Sequence, residues 1–185
     1  MDFNSLLHIQ NLEQILKTNF VKYNVAVVGY KNIYKFLSQM ELDINTHLED
    51  EERIFWFKEK NESDNYSIYC FLYKDMEIIA TISFSQYISI YEDTYEKLLD
   101  ILKVSPLDSI NGNTLIVNPK YRNQGIAYKL KQITNKYWFN YYEYIIGNTV
   151  NITAMNLYRR LGAIEVYSEN HNGETYIYYY YKGSI

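Results

Sequence analysis

The sequence predicts a mixed α/β sheet protein, and three observations carry that expectation. An apolar β-type run, Leu115-Ile116-Val117, is stopped by Pro119, turns through polar residues and enters a helix at Gly125; proline cannot donate a hydrogen bond to a strand ladder. The elements then follow the order helices, hairpin, strand–helix–strand–helix, hairpin, which builds one sheet with helices packed on it. At 185 residues and 22.2 kDa, without repeats, a low-complexity tail or a linker, the chain reads as a single domain over 1–185, large enough for a proper core.

Residues 5–22 read as an amphipathic helix with Leu12, Ile15, Leu16 and Phe20 at helical spacing, Val25 to Val28 as a short buried strand, and Lys31 to Met40 as a second helix. Asn45 to Phe57 reads as a further helix, although Ile54-Phe55-Trp56-Phe57 reads equally as extended chain, and a polar loop follows from Lys58 to Asn65. Tyr66–Tyr73 and Glu77–Ser85 are β-rich and joined by Lys74-Asp75-Met76, a hairpin signature. A helix over Tyr91–Val104 carries the stripe Tyr95, Leu98, Leu99 and Leu102 and is closed by Pro106. Asn111-Gly112-Asn113 reads as a turn into the 114–118 strand. The helix from Gly125 to Tyr141 places Ile126, Leu130, Ile133, Tyr137 and Tyr141 on one side. Glu143–Gly147 is the next strand and Asn151–Leu161 the next helix, capped by Gly162. Ala163–Ser168 and Thr175–Lys182 flank Asn172-Gly173, a strong hairpin turn signal.

The strand–turn–helix at 114–141 has the form of a phosphate cradle. A helix N-terminus offers unpaired N–H groups, and the helix dipole adds partial positive charge there. Gly125 allows close backbone approach, and Asn123 tolerates a positive φ. The stretch is not a Walker A loop, which needs Gly-Lys-Ser/Thr, nor a dinucleotide fingerprint, since Gly125 stands alone.

Composition narrows the function. Lys plus Arg number 18 against 22 Asp plus Glu, a net charge of −4, which argues against a nucleic-acid partner; a stacking platform on Tyr178–Tyr181 lacks the basic excess it would need. Thr114–Tyr142 holds Lys120, Arg122, Lys129, Lys131 and Lys136 and no acid, whereas Glu41–Asp64 is strongly acidic. A basic half and an acidic remainder suit a polyanionic cofactor and a cationic acceptor. With 22 Tyr in the chain, no tyrosine carries meaning without a positional argument. Cys70, the sole cysteine, sits in an apolar run and reads as an inert buried thiol. His8, His47 and His171 share no ligand spacing, so no metal is expected. Residues 1–20 lack a basic start before an apolar core, and no apolar run approaches the ~20 residues needed to span a bilayer; a cytoplasmic protein without membrane contact is expected.

Two motifs give the reading its specificity. Arg122, Gly125 and Ala127, with Val117 and Pro119 ahead, fit Gln/Arg-x-x-Gly-x-Gly/Ala after a strand and Val-x-Pro. This resembles the acetyl-CoA loop of the GNAT-type N-acetyltransferases. One βα repeat later, Asn151, Ala154, Leu157, Tyr158 and Gly162 follow that family's Asn-x-x-Ala-x-x-Leu-Tyr-x-x-x-Gly; Ala163 departs from its usual Phe. The resemblance covers residues 66–182 and leaves 1–65, where the family shapes its acceptor cleft, less well defined. It implies a mostly antiparallel mixed sheet flanked by helices and acetyl-CoA as co-substrate. Backbone groups of Leu115, Ile116 and Val117 would pair with the pantetheine arm, with the Val117 N–H polarising the thioester. Amides of Arg122, Asn123, Gln124, Gly125, Ile126 and Ala127 would hold the pyrophosphate. Asn151 would bond the pantetheine or simply cap its helix, and Tyr158 would protonate the leaving thiolate, a phenol with a pKa near ~10, or simply pack in the core. The acceptor would be a primary amine, on a small cationic molecule or a protein, and a homodimer is possible. No acid or histidine lies on the 114–118 strand, so the general base is open among Glu77, Glu92, Asp93, Glu143 and a water relay. The alternative is a non-catalytic acyl-CoA sensor or scaffold with the same fold.

Overall fold

The computed structural model describes residues 6–29, 32–39, 67–86 and 92–183. The segment 45–57, with its helix-or-strand ambiguity, and the whole of the acidic Glu41–Asp64 run lie outside them. In chain order the elements are α1 (Leu6–Asn19), β1 (Asn24–Gly29), α2 (Ile33–Gln39), β2 (Ser67–Lys74), β3 (Glu77–Gln86), α3 (Glu92–Leu102), β4 (Ser109–Val117), α4 (Ile126–Trp138), β5 (Tyr144–Thr149), α5 (Ile152–Arg160), β6 (Ile164–His171) and β7 (Glu174–Lys182).

The strands form one seven-stranded sheet in the order β1-β2-β3-β4-β5-β7-β6. Every pair is antiparallel except β4–β5. The expected mixed, mostly antiparallel sheet flanked by helices is thus what the chain builds. Period-2 alternation sorts each strand between two cores. Val25, Val27, Ile68, Cys70 and Leu72 face α1, α4 and α5, whereas Ala26, Val28, Tyr69 and Phe71 face α2. A third cluster seats Tyr95, Leu98 and Leu99 of α3 on Ile146 and Tyr178. Because β1 and β2 are covered on both faces, their sequences are apolar at nearly every position rather than at alternate ones, whereas β3 alternates Ile82 and Phe84 with the buried Thr81 and Ser83.

Two expectations are corrected. Asn111-Gly112-Asn113 is not a turn: β4 already begins at Ser109 and runs through all three residues. Asn113 donates from Nδ2 to Ser85 Oγ at 2.8 Å, and the Thr114 N–H donates to Ser83 Oγ at 3.2 Å. Partners on β3 therefore override turn-prone local chemistry. The register jumps there from Ile82↔Leu115 to Phe84↔Gly112, a bulge that puts two residues of β4 against one of β3. The helix expected to reach Tyr141 ends at Trp138, and Tyr141 is exposed. The hairpin turns are in place: Asp75, Met76, Asn172 and Gly173 all take positive φ.

Candidate active site

β4 and β5 pair only from Ser109↔Tyr144 to Asn111↔Ile146, and then separate. Two glycines stand where they part. A Cβ on Gly147 would lie 2.7 Å from the Tyr179 hydroxyl, and one on Gly112 would lie 2.7 Å from Lys131 Nζ. At Gly147 the Tyr179 ring and the Gly112 carbonyl, 3.1 Å away, leave no room for a side chain, whereas at Gly112 the flexible end of Lys131 fills the space.

The opening continues into a cleft of about 540 Å³. Leu115 and Ile116 of β4 line it together with Asn151 and Tyr158, at the start of and within α5. Four of the predicted site residues, the nearest of them (Ile116 and Asn151) 35 positions apart in the chain, thus share one space. The cleft also collects Tyr69, Tyr95, Tyr176 and Tyr178, and no carboxylate lines it among the described residues.

Past the cleft, β4 leads into the predicted cradle. Asn118 Oδ1 accepts the Lys120 N–H at 3.0 Å and opens a tight turn at Pro119–Tyr121. Asn123 (φ 62°) and Gly125 (φ 75°) both adopt the left-handed backbone their residue types allow. Gly125 caps α4 without a side-chain bond, and the Lys129 N–H to Gly125 C=O bond, 3.0 Å, is the first of the helix. The N–H groups of Ile126, Ala127 and Tyr128 therefore have no acceptor within it. The Arg122 N–H differs from its neighbours, since it already donates to Pro119 C=O at 3.2 Å, while Arg122 Nε donates to Val117 C=O at 3.1 Å.

The basic cluster counted in the sequence disperses in space. Lys120 Nζ is 2.8 Å from Glu77, whose carboxyl is held below the usual carboxylate range by that hydrogen bond. Lys129 reaches back to the Asn19 carbonyl and the Phe20 ring, and Lys131 is buried. Glu77 also accepts from Tyr121 and Asn118 at 3.0 and 3.1 Å, so it fastens the β4–α4 turn to β3. Glu143 pairs with Lys182 at 3.3 Å. Neither lines the cleft; the side chains of Glu92 and Asp93 lie outside the described residues.

Asn151 caps α5, its Oδ1 accepting from Thr153 and Ala154 N–H at 2.9 and 3.1 Å. Tyr158 is buried within α5, its ring 4.9 Å from that of Tyr179. Burial and the nearby Tyr158 phenol push the Tyr179 pKa well up. His171, which sequence reasoning passed over, also lines the cleft, with Nε2 3.2 Å from Glu169 Oε2. Its sole signal was its position just before the Asn172-Gly173 turn. Cys70 is buried and its thiol is pushed far up by desolvation, as its apolar surroundings suggested. His8 packs in the core against Tyr137, 2.9 Å from its hydroxyl. Among the described residues no group of three or more His, Cys, Asp or Glu could hold a metal, and no helix is long and apolar enough to cross a membrane.

Comparison with known proteins points the same way. No curated protein matches the sequence. Among solved structures, a ribosomal-protein alanine N-acetyltransferase from Escherichia coli is 14% identical, with 88% of this chain and 95% of that one covered and a TM-score of 0.54. A GNAT-family acetyltransferase from Bacillus cereus is 16% identical (88% and 99% covered, TM-score 0.51). A spermidine N-acetyltransferase chimera from Vibrio cholerae and hSSAT is 14% identical (86% and 96% covered, TM-score 0.51). At such identities these likenesses speak for the fold. The profile of the Acetyltransferase (GNAT) family matches residues 30–163, most of the chain. The protein belongs to the GNAT family of acetyltransferases.

Proposed function

We propose that this acetyltransferase moves an acetyl group from acetyl-CoA to a primary amine by direct attack within a ternary complex, in the cytoplasm, with residues 1–185 acting as one domain. The observation that carries the reading is the parting of β4 and β5 beyond Asn111 and Ile146, which joins Leu115, Ile116, Asn151 and Tyr158 in one cleft and leads along β4 to the N-terminus of α4. A strand that has lost its neighbour keeps N–H and C=O groups to offer an amide-bearing arm.

Acetyl-CoA supplies an activated thioester and two anchoring features, a pantetheine arm and a pyrophosphate. Leu115, Ile116 and Val117 hold the arm through main-chain bonds. Amides of Asn123, Gln124, Gly125, Ile126 and Ala127 receive the pyrophosphate, each charge-assisted bond contributing roughly 1.5–3 kcal/mol; Arg122 contributes its guanidinium rather than its engaged N–H. Asn151 keeps its Nδ2 for the arm while its Oδ1 caps α5. Tyr158 donates a proton to the departing sulfur. The amine must arrive neutral, and His171, oriented by Glu169 as a general base often is by a second group, removes its proton directly or through water. The tyrosine-lined cleft favours an amine whose carbon skeleton lies flat against aromatic faces.

Calorimetry with acetyl-CoA tests the reading. Micromolar binding that Gly125→Glu abolishes is expected, since a charge and a side chain then occupy the pyrophosphate position. A Gly125→Asn control keeps a residue that tolerates the φ of 75°. Equal binding in wild type and Gly125→Glu, or none in wild type, would sink the proposal. With an amine panel, thiol release that His171→Gln slows without weakening acetyl-CoA binding supports the base; an unchanged rate removes His171 from that role.

A further inference from the structure

Lys131 lies in α4, and its side chain runs under the sheet to the point where β4 and β5 part. It is 3% exposed, and Nζ sits 5.1 Å from the Phe84 ring centroid, 5.3 Å from Tyr181 and 5.7 Å from Tyr158. Gly112 makes the room for it. Among the described residues no carboxylate pairs with this lysine, and burial alone pushes its pKa down to about 7. The titratable groups facing it are Tyr158 from α5 and Tyr181 from β7; Phe84 on β3 and Gly112 on β4 bring none. Ring faces compensate a desolvated ammonium only in part. A leucine or methionine would serve packing better, so the charge at this position costs stability. What it offers is positive potential behind Tyr158, which itself lines the cleft.

We propose that Lys131 is a positioning residue for acyl transfer, acting through Tyr158 to stabilise the negative charge that appears when the thiolate leaves. The inference rests on the acetyl-transfer reading above. As the amine nitrogen bonds to the acetyl carbon, the C–S bond breaks and its electron pair goes to sulfur. The Tyr158 proton moves to that sulfur, and the phenolate left behind is balanced by the Lys131 ammonium until solvent restores the phenol. The amine's own proton leaves by the general base. An ammonium in a low-dielectric setting is worth far more to such an anion than a surface lysine.

The test uses coenzyme A, whose free thiol reports on the same charge. The wild-type complex, the Lys131→Met complex and free coenzyme A, carrying carbon-13 beside the sulfur, are titrated from mildly acid to alkaline pH while the chemical shift of that carbon reports the ionisation of the thiol. The thiolate and the Lys131 ammonium hold each other in the wild-type complex, so the thiol is expected to ionise at a proton concentration at least about tenfold higher than in free coenzyme A while the lysine keeps its proton over that range. Lys131→Met, which keeps the chain length and removes the charge, should bind coenzyme A, resist heat at least as well as wild type, and lose that shift. Lys131→Gln is run beside it, so that a folding defect in one variant does not decide the outcome. A purely structural lysine would leave the thiol's ionisation untouched. Equal ionisation in wild type and variants, with coenzyme A bound by all, overturns the role of Lys131 and leaves acetyl transfer standing. Failure of the wild type to bind either coenzyme A or acetyl-CoA overturns the acetyl-transfer reading, and this inference with it.

Discussion

β2 and β3 pair without interruption from Ser67↔Ser85 to Lys74↔Glu77, apart from one slip at Leu72/Tyr73, and almost every residue between is buried. β4 and β5 pair at three positions and part. The first region spends its backbone polarity on itself and nearly all its side chains on two cores, leaving only Tyr69 at the cleft. The second leaves backbone groups unspent and gathers tyrosines, asparagines and a buried lysine around the gap. On the proposed function, stability and function are separated along one sheet, and mutations in the two regions should fail differently.

The largest expected effect falls on the open side. Tyr158→Phe keeps the ring packed against Tyr179 and removes the hydroxyl, so thiol release with an accepted amine should fall by about 10²- to 10⁴-fold while acetyl-CoA affinity and melting temperature stay near wild type. A rate within a factor of two of wild type would return Tyr158 to the core-packing role its burial also permits. On the closed side, Leu72→Ala empties a fully buried position and should cost about 2–5 kcal/mol in denaturant unfolding, with acetyl-CoA affinity unchanged at temperatures where the protein is folded. Equal damage to binding would show that the two regions are not separable.

A smaller effect comes from Lys131. Its folded pKa of about 7 lies below the ordinary lysine value, so between the two the unfolded chain binds the extra proton. The destabilisation is fully present below pH 7 and is relieved as pH rises toward the unfolded value. The Lys131 contribution should therefore raise stability with pH by at most about 1.4 kcal/mol per unit in that window. Lys131→Met should remove that slope. Parallel stability curves for the two proteins above pH 7 would mean that Lys131 is as well solvated as a surface lysine.

Several parts of the site were legible because they are local. The positive φ of Asn123 and Gly125 follows from which residues tolerate it, and Asn151 and the Asn172-Gly173 turn from cap and turn chemistry. Motif spacing paired Asn151 with Tyr158 because both ride one short helix. Lys131 was misread as one of five cations around a cradle. The apolar stripe Ile126, Leu130, Ile133, Tyr137 suggested one buried face, but α4 is wedged between α1 and the sheet, and Lys131, Thr134, Asn135 and Trp138 are buried as well. A charge count is additive along the chain, whereas a potential depends on where each side chain ends: Glu77, 43 positions before Lys120, neutralises it across the turn.

By itself the sequence determined the strand–turn–helix, the hairpins, the family and the candidate residues, since backbone sterics and period act within a few residues. Tertiary structure decided that Asn111-Gly112-Asn113 is strand rather than turn, because Ser83 and Ser85 on β3 satisfy it. It also decided that Glu77 fastens a loop, that His171 enters the cleft, and that a lysine lies buried beside Tyr158. Each of those outcomes depends on partners distant in sequence, and no local pattern records which distant group will arrive.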